Sequence, residues 1–134
     1  MELKVDLLHL DLDDRIALGS DGRTLFINLE KMRVRSAADI AAIRDRVERV
    51  CGPLGRRVDV VVNYDGARID PEVETAYAAM VRDLEDRLYA RVTRYSGSAF
   101  MRMKLGGALS RDKPAHIFET AAEARAWLDA ARQG

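Results

Sequence analysis

The run Val58-Asp59-Val60-Val61-Val62 constrains this chain more than any other segment. β-Branched residues favour extended backbone, and a run this short and apolar reads as a strand buried inside a sheet. Further on, Asp70-Pro71-Glu72 reads as a helix start: an acidic N-cap, proline at the first helical position and a carboxylate in the first turn. Val73, Tyr77, Met80, Val81, Leu84 and Leu88 then recur at helical spacing, with Arg82, Asp83, Glu85, Asp86 and Arg87 on the opposite face. Arg91-Val92-Thr93-Arg94-Tyr95 reads as the next strand. Strands alternating with helices require right-handed crossovers, so the sheet is expected to be parallel or mixed and covered by helices.

The flanking segments extend the same pattern. Lys4 to Leu10 reads as a strand or a lead-in. Arg15–Leu18 and Thr24–Leu29 flank Gly19-Ser20-Asp21-Gly22-Arg23, a turn composition that predicts a β-hairpin. Ser36 with Asp39 resembles a capping box, Ile40, Ile43, Val47 and Val50 keep helical spacing, and Gly52-Pro53 stops that helix. Ser96-Gly97-Ser98 leads into a helix around Phe100–Leu109, where Gly106-Gly107 either ends the helix early or permits close packing. His116-Ile117-Phe118 reads as a short strand. Thr120 with Glu123 caps a final helix that is expected to turn Trp127 and Leu128 inward.

Apolar residues at 48% and charged residues at 33% exclude a disordered chain and a membrane protein, and no apolar run approaches the ~20 residues of a spanning helix. At 134 residues the chain is long enough for one domain with its own core. MELKVDLLHLDLDD has one early lysine followed by acids, unlike a signal or transit peptide, so a cytoplasmic location is expected. The single cysteine, Cys51, fits a reducing compartment and reads as a small buried hydrophobe. His9 and His116 have no metal-ligand spacing, so no metal is expected.

Twenty-two basic residues balance twenty-two acidic ones, which argues against nucleic acid as a partner. The charge is nevertheless uneven. Residues 1–30 carry seven acids and three bases, whereas 90–113 carry six bases (Arg91, Arg94, Arg102, Lys104, Arg111, Lys113) against Asp112. Such a dipolar domain either orients against an anionic ligand or partner, or simply presents solvated faces.

Ligands of open α/β sheets settle where strands end and helices begin. Two loops qualify. Asn63 to Asp70 contains Asp65 and Asp70, a candidate acid/base pair, although Asp-Gly also makes a turn and Asp70 a cap. Thr93 to Ser98, with Arg102 and Lys104 close behind, opens a helix whose free N–H groups suit a phosphate, although its glycine spacing matches no phosphate-loop or dinucleotide motif. Ser98 as a plain N-cap explains most of that pattern. No G-x-S-x-G elbow accompanies Ser20, Ser36, Ser96, Ser98 or Ser110.

These two stretches, Asn63-Tyr64-Asp65-Gly66 to Asp70-Pro71-Glu72 and Val92-Thr93-Arg94-Tyr95 through Ser98 to Gly106, resemble the C-terminal extension of bacterial acyl-CoA:acetate/3-ketoacid CoA-transferases. Thr24–Leu29 and Val34–Ile40 fit as well, so the resemblance covers nearly the whole chain. The family's catalytic glutamate motif, Glu-Asn-Gly or a close variant, is absent, so the resemblance implies an accessory domain and assigns no catalytic residue. The element order also resembles the STAS domain of sulfate transporters and anti-sigma factor antagonists. Val60 to Asp70 follows its pattern, but Pro71 and Glu72 stand where that family has two serines, so the phosphorylatable switch is missing. Glu72 there either imitates a phosphoserine with one negative charge or complements the helix dipole.

The expected fold is thus α/β: a single STAS-like domain over residues 1–134, an N-terminal β-hairpin followed by alternating helices and strands. The implied function is a non-catalytic accessory domain of a CoA-transferase, serving docking, assembly or CoA binding. Coenzyme A, as a ligand, would meet Arg94, Ser96, Gly97, Ser98, Arg102 and Lys104. The alternative is a stand-alone interaction module docking through Tyr64, Asp65, Gly66, Asp70 and Glu72. An enzyme using Asp65 or Asp70 is a third reading. The partners implied are the transferase's catalytic region or subunit, or a second copy of the chain, with no nucleic acid and no membrane.

Overall fold

The computed structural model describes residues 12–133; the reading of Lys4 to Leu10 lies outside them. Residues 12–15 are helical and lead into β1 (Ile16–Leu18), which pairs antiparallel with β2 (Thr24–Asn28). The expected hairpin turn is present. Gly22 adopts a φ of 69°, a region closed to most side chains, and the Asp21 carboxylate accepts from the backbone N–H of Arg23 (2.9 Å) and Thr24 (3.0 Å).

Next come β3 (Arg33–Val34), α1 (Ala37–Cys51), β4 (Val58–Asn63), β5 (Arg68–Ile69), α2 (Glu74–Leu88), β6 (Tyr89–Tyr95), α3 (Ala99–Ala108) and α4 (Ala121–Gln133). The main sheet is mixed, in the order β1-β2-β4-β6, with the β2–β4 and β4–β6 pairs parallel. Beyond the carboxyl ends of β2 and β4, β3 and β5 form a second, two-stranded parallel pair. At two residues each, these strands carry no local signal; Arg68 N–H donates to Met32 O and Asp70 N–H to Val34 O.

Alternation along β4 divides the sheet into two unlike faces. Val58, Val60 and Val62, with Leu25 and Ile27 of β2, join the main core with Ile43 and Val47 of α1 and Tyr77, Met80 and Leu84 of α2. The other face carries Asp59, Val61 and Asn63, and α4 lies over it above β6 and β4. There Thr93 Oγ1 donates to Ala124 O (3.1 Å), and Arg132 Nε donates to Asp59 Oδ2 (2.8 Å).

Three helix caps form as read. Ser36 Oγ accepts from Asp39 N–H, Ser98 Oγ from Met101 N–H, and Thr120 and Glu123 bond reciprocally. Cys51 is buried, and burial pushes its thiol pKa up. Gly106 permits close packing rather than ending α3: a Cβ there would sit 3.0 Å from Ala115 O, whose residue's N–H donates to Gly106 O (2.9 Å).

Three local expectations need correction. Asp70 does not cap α2 with its side chain; a 3-10 turn over Pro71–Val73 precedes Glu74, and the Asp70 carboxylate instead grips Arg33 (2.9 and 3.1 Å). His116–Phe118 is no strand but a single parallel bridge from Phe118 to Tyr95, because proline at 114 lacks an N–H and the α4 cap begins at Thr120. Trp127 does not face inward. It is 43% exposed, since Ala124 and Leu128, one turn apart, occupy the buried line of α4.

Candidate functional site

The two loops singled out in the sequence meet at the carboxyl ends of β4 and β6. Tyr64 N–H donates to Tyr95 O (2.9 Å), and Gly97 N–H donates to Asp65 Oδ1 (2.5 Å). Asp65 is itself fixed at both ends of its backbone: its N–H donates to Asn63 Oδ1 (2.8 Å) and its carbonyl accepts from Lys31 N–H (2.8 Å). The carboxylate thus stands where an anion would approach the Ser96-Gly97-Ser98 turn, within the chain's own hydrogen-bond network.

The basic residues of this region are already paired. Arg94 is 7% exposed at its side chain and points into the core side of the sheet, where Nη2 donates to Glu85 Oε2 (2.7 Å). Arg102 Nη1 donates to Ser96 O (2.9 Å), and Nη2 lies 3.6 Å from Glu119. Lys104 lies 3.4 Å from Glu74 and 5.7 Å from the centre of the Phe100 ring. Ser96 is fully buried, with its N–H donating to Phe118 O and its Oγ accepting from Ser98 N–H (3.2 Å). Ser98 caps α3.

The loop after β4 presents less surface than its composition suggests. Tyr64 is buried and shares a hydrogen bond with the Tyr77 hydroxyl (2.7 Å); burial pushes both phenols up, so both stay protonated at neutral pH. Asp70 is tied to Arg33, whose hydrogen bond holds its carboxyl below the usual carboxylate range. Asp65 and Asp70 therefore each serve a separate structural donor. Gly66 and Glu72 are exposed, Gly66 at a φ of 69° that completes the turn. Among the described residues, no cluster of three or more His, Cys, Asp or Glu side chains is arranged to hold a metal ion.

Two surfaces escaped the sequence reading. On α3, Phe100 and Met103 stand one turn apart and are 61% and 71% exposed, while Leu105 and Leu109 are buried. Their spacing alone places them off the line of Met101, Leu105 and Leu109, a signal that helical periodicity makes readable. The second surface is a cleft of about 310 Å³ on the sheet face under α4, lined by Phe26, Asn28, Asn63, Tyr95 and Arg125 among others. Its residues come from separate strands and α4, so no local spacing marks them.

Compared with known proteins, the chain matches no family model, no curated protein and no solved structure.

Proposed function

We propose that this chain is a STAS-like, non-catalytic accessory domain that docks onto an acyl-CoA:acetate/3-ketoacid CoA-transferase through α3. The observation that carries this reading is the exposed Phe100–Met103 ridge, which lies in the stretch where the sequence resemblance is most specific. Large apolar side chains left in water at adjacent turns are a cost that a partner's surface removes, by roughly 25 cal/mol per Å² of apolar area covered. In the main sheet, the β1–β2 hairpin followed by β4 and β6 in chain order supports the STAS-like part.

Docking fits this geometry better than nucleotide holding. Arg94 is committed to Glu85, Arg102 to Ser96 and Glu119, and the Gly97 N–H to Asp65, so a phosphate has to displace internal partners at each. The exposed ridge has no internal hydrogen bond or ion pair to displace, only the contact of Lys104 with the Phe100 ring.

The test is sedimentation of the chain with the purified catalytic region of such a transferase. A saturable complex is expected, weakened at least about tenfold by Met103→Asp, a change at an exposed site that leaves the melting temperature in place. Absence of a complex at about 100 µM overturns the proposal, since that affinity corresponds to only about 5.5 kcal/mol. Saturable acetyl-CoA binding that Arg102→Ala abolishes also overturns it, in favour of nucleotide holding.

A further inference from the structure

The register of the sheet builds the cleft under α4 from two adjacent rows. Ala17, Phe26 and Val61 are direct cross-strand partners and form an apolar row. Two residues further along the strands on the same face, Asn28, Asn63 and Tyr95 form a polar row at the strands' carboxyl ends. α4 covers β6 and β4 and contributes Arg125 as a wall, whose guanidinium lies 5.2 Å from the Phe26 ring centre. That cation–π contact orients the guanidinium without using any of its N–H donors.

The hydrogen bonding of the two asparagines in the cleft is one-sided. The amide oxygens of the cleft's polar row are taken: Asn28 Oδ1 accepts from Glu30 N–H and Asn63 Nδ2, and Asn63 Oδ1 accepts from Asp65 N–H. Its donors are not. Among the described residues, Asn28 Nδ2, the Tyr95 hydroxyl and the Arg125 guanidinium have no hydrogen-bond or ion-pair partner. Burial, with Asp65 nearby, pushes the Tyr95 phenol up, so it keeps its proton at neutral pH. Asp14 and Arg15 at the rim are of opposite sign.

We propose that this cleft binds a small organic carboxylate, the carboxylate received by Arg125, Asn28 and Tyr95 and the hydrocarbon body laid on Ala17, Phe26 and Val61. Three unpaired donors call for an acceptor-only head group, and an apolar row beside them calls for a hydrocarbon body. A cavity of about 310 Å³ stands at the lower end of small-molecule sites, which suits a short or singly branched acid. This site shares no residue with the α3 ridge, so its fate and that of the docking proposal are separable.

The test is an NMR titration of the full chain with hexanoate, hexanamide and inorganic phosphate. Hexanoate is expected to saturate, shifting the amide signals of Phe26, Asn28 and Tyr95. Hexanamide is expected to bind at least about tenfold more weakly, matching the loss of one charge-assisted hydrogen bond, and phosphate not to saturate. Arg125→Gln, on the exposed side of α4, is expected to weaken hexanoate at least about tenfold with the fold intact, and Asn28→Asp to weaken it through like-charge repulsion. Four results overturn the proposal: no saturation by hexanoate at about 20 mM, equal binding of the amide, phosphate binding as tight as hexanoate, or an unchanged affinity in Arg125→Gln.

Discussion

Replacing Glu85 by glutamine should destabilise this protein far more than its position at the edge of α2 suggests. Glu85 is 20% exposed and holds Arg94 at 2.7 Å, and Arg94 Nε is a buried donor with no partner among the described residues. At an effective dielectric of about 20, a pair this close attracts by about 6 kcal/mol. Part of that returns when the burial penalty of the carboxylate disappears, and the amide oxygen of the introduced glutamine still accepts one hydrogen bond. The net cost is therefore about 3 kcal/mol, the lower end of the range for removing one partner of a buried pair. Neutralising both groups removes the uncompensated charge, so Glu85→Gln with Arg94→Met should fall within about 1 kcal/mol of the native chain. The assay is urea and thermal unfolding followed by far-UV circular dichroism and by the fluorescence of Trp127. The single Glu85→Gln variant should melt about 10 °C lower, and the double variant should recover most of that loss. Single-variant costs that simply add in the double variant, to within about 0.5 kcal/mol, would refute the reasoning.

Three further outcomes are expected. Hydrogen bonds from Arg87 and then Arg44 lower the Asp83 pKa to about 2, so this carboxylate contributes stability that is present above its unfolded pKa and is lost as pH falls towards 2. Asp83→Asn should accordingly flatten the fall in stability between about pH 4 and pH 2 in acid titrations, and an unchanged slope excludes the pairing as its source. Gly66→Ala should cost about 1–2 kcal/mol in urea unfolding, because a φ of 69° crowds a Cβ against the backbone; a neutral result would mean that the turn relaxes. Ser36→Ala should cost about 1 kcal/mol through the loss of the α1 cap, and Ser36→Asp should restore it, both measured by thermal melting.

How much was readable locally is clear from the caps and turns. Ser36, Ser98 and Thr120 start their helices because a hydroxyl and an N–H three residues apart meet whatever surrounds them. The Gly19–Arg23 turn is decided in the same short range, whereas the β4 run and Cys51 only announce by their apolarity that they will be buried. Asp70 shows where that range ends. Its composition matches an N-cap, yet Arg33, brought alongside by the β3–β5 pair, takes the carboxylate.

Local chemistry settled the four long helices, the strands of the main sheet and the hairpin turn, because those choices rest on interactions within about one helical turn or one hairpin. But it left the two-residue β3 and β5 without a signal and read a strand at His116–Phe118 where one bridge forms. What each side chain faces was settled by long-range pairing. Strand parity turned Arg94 into the core and Thr93 towards α4, although their neighbours in sequence read alike. Register set Phe26 beside Val61 and Asn28 beside Asn63, and the helix after Thr120 brought Arg125 over them. A one-residue slip would send each of these to the opposite face, and nothing within a strand signals against it; the long-range pairing does.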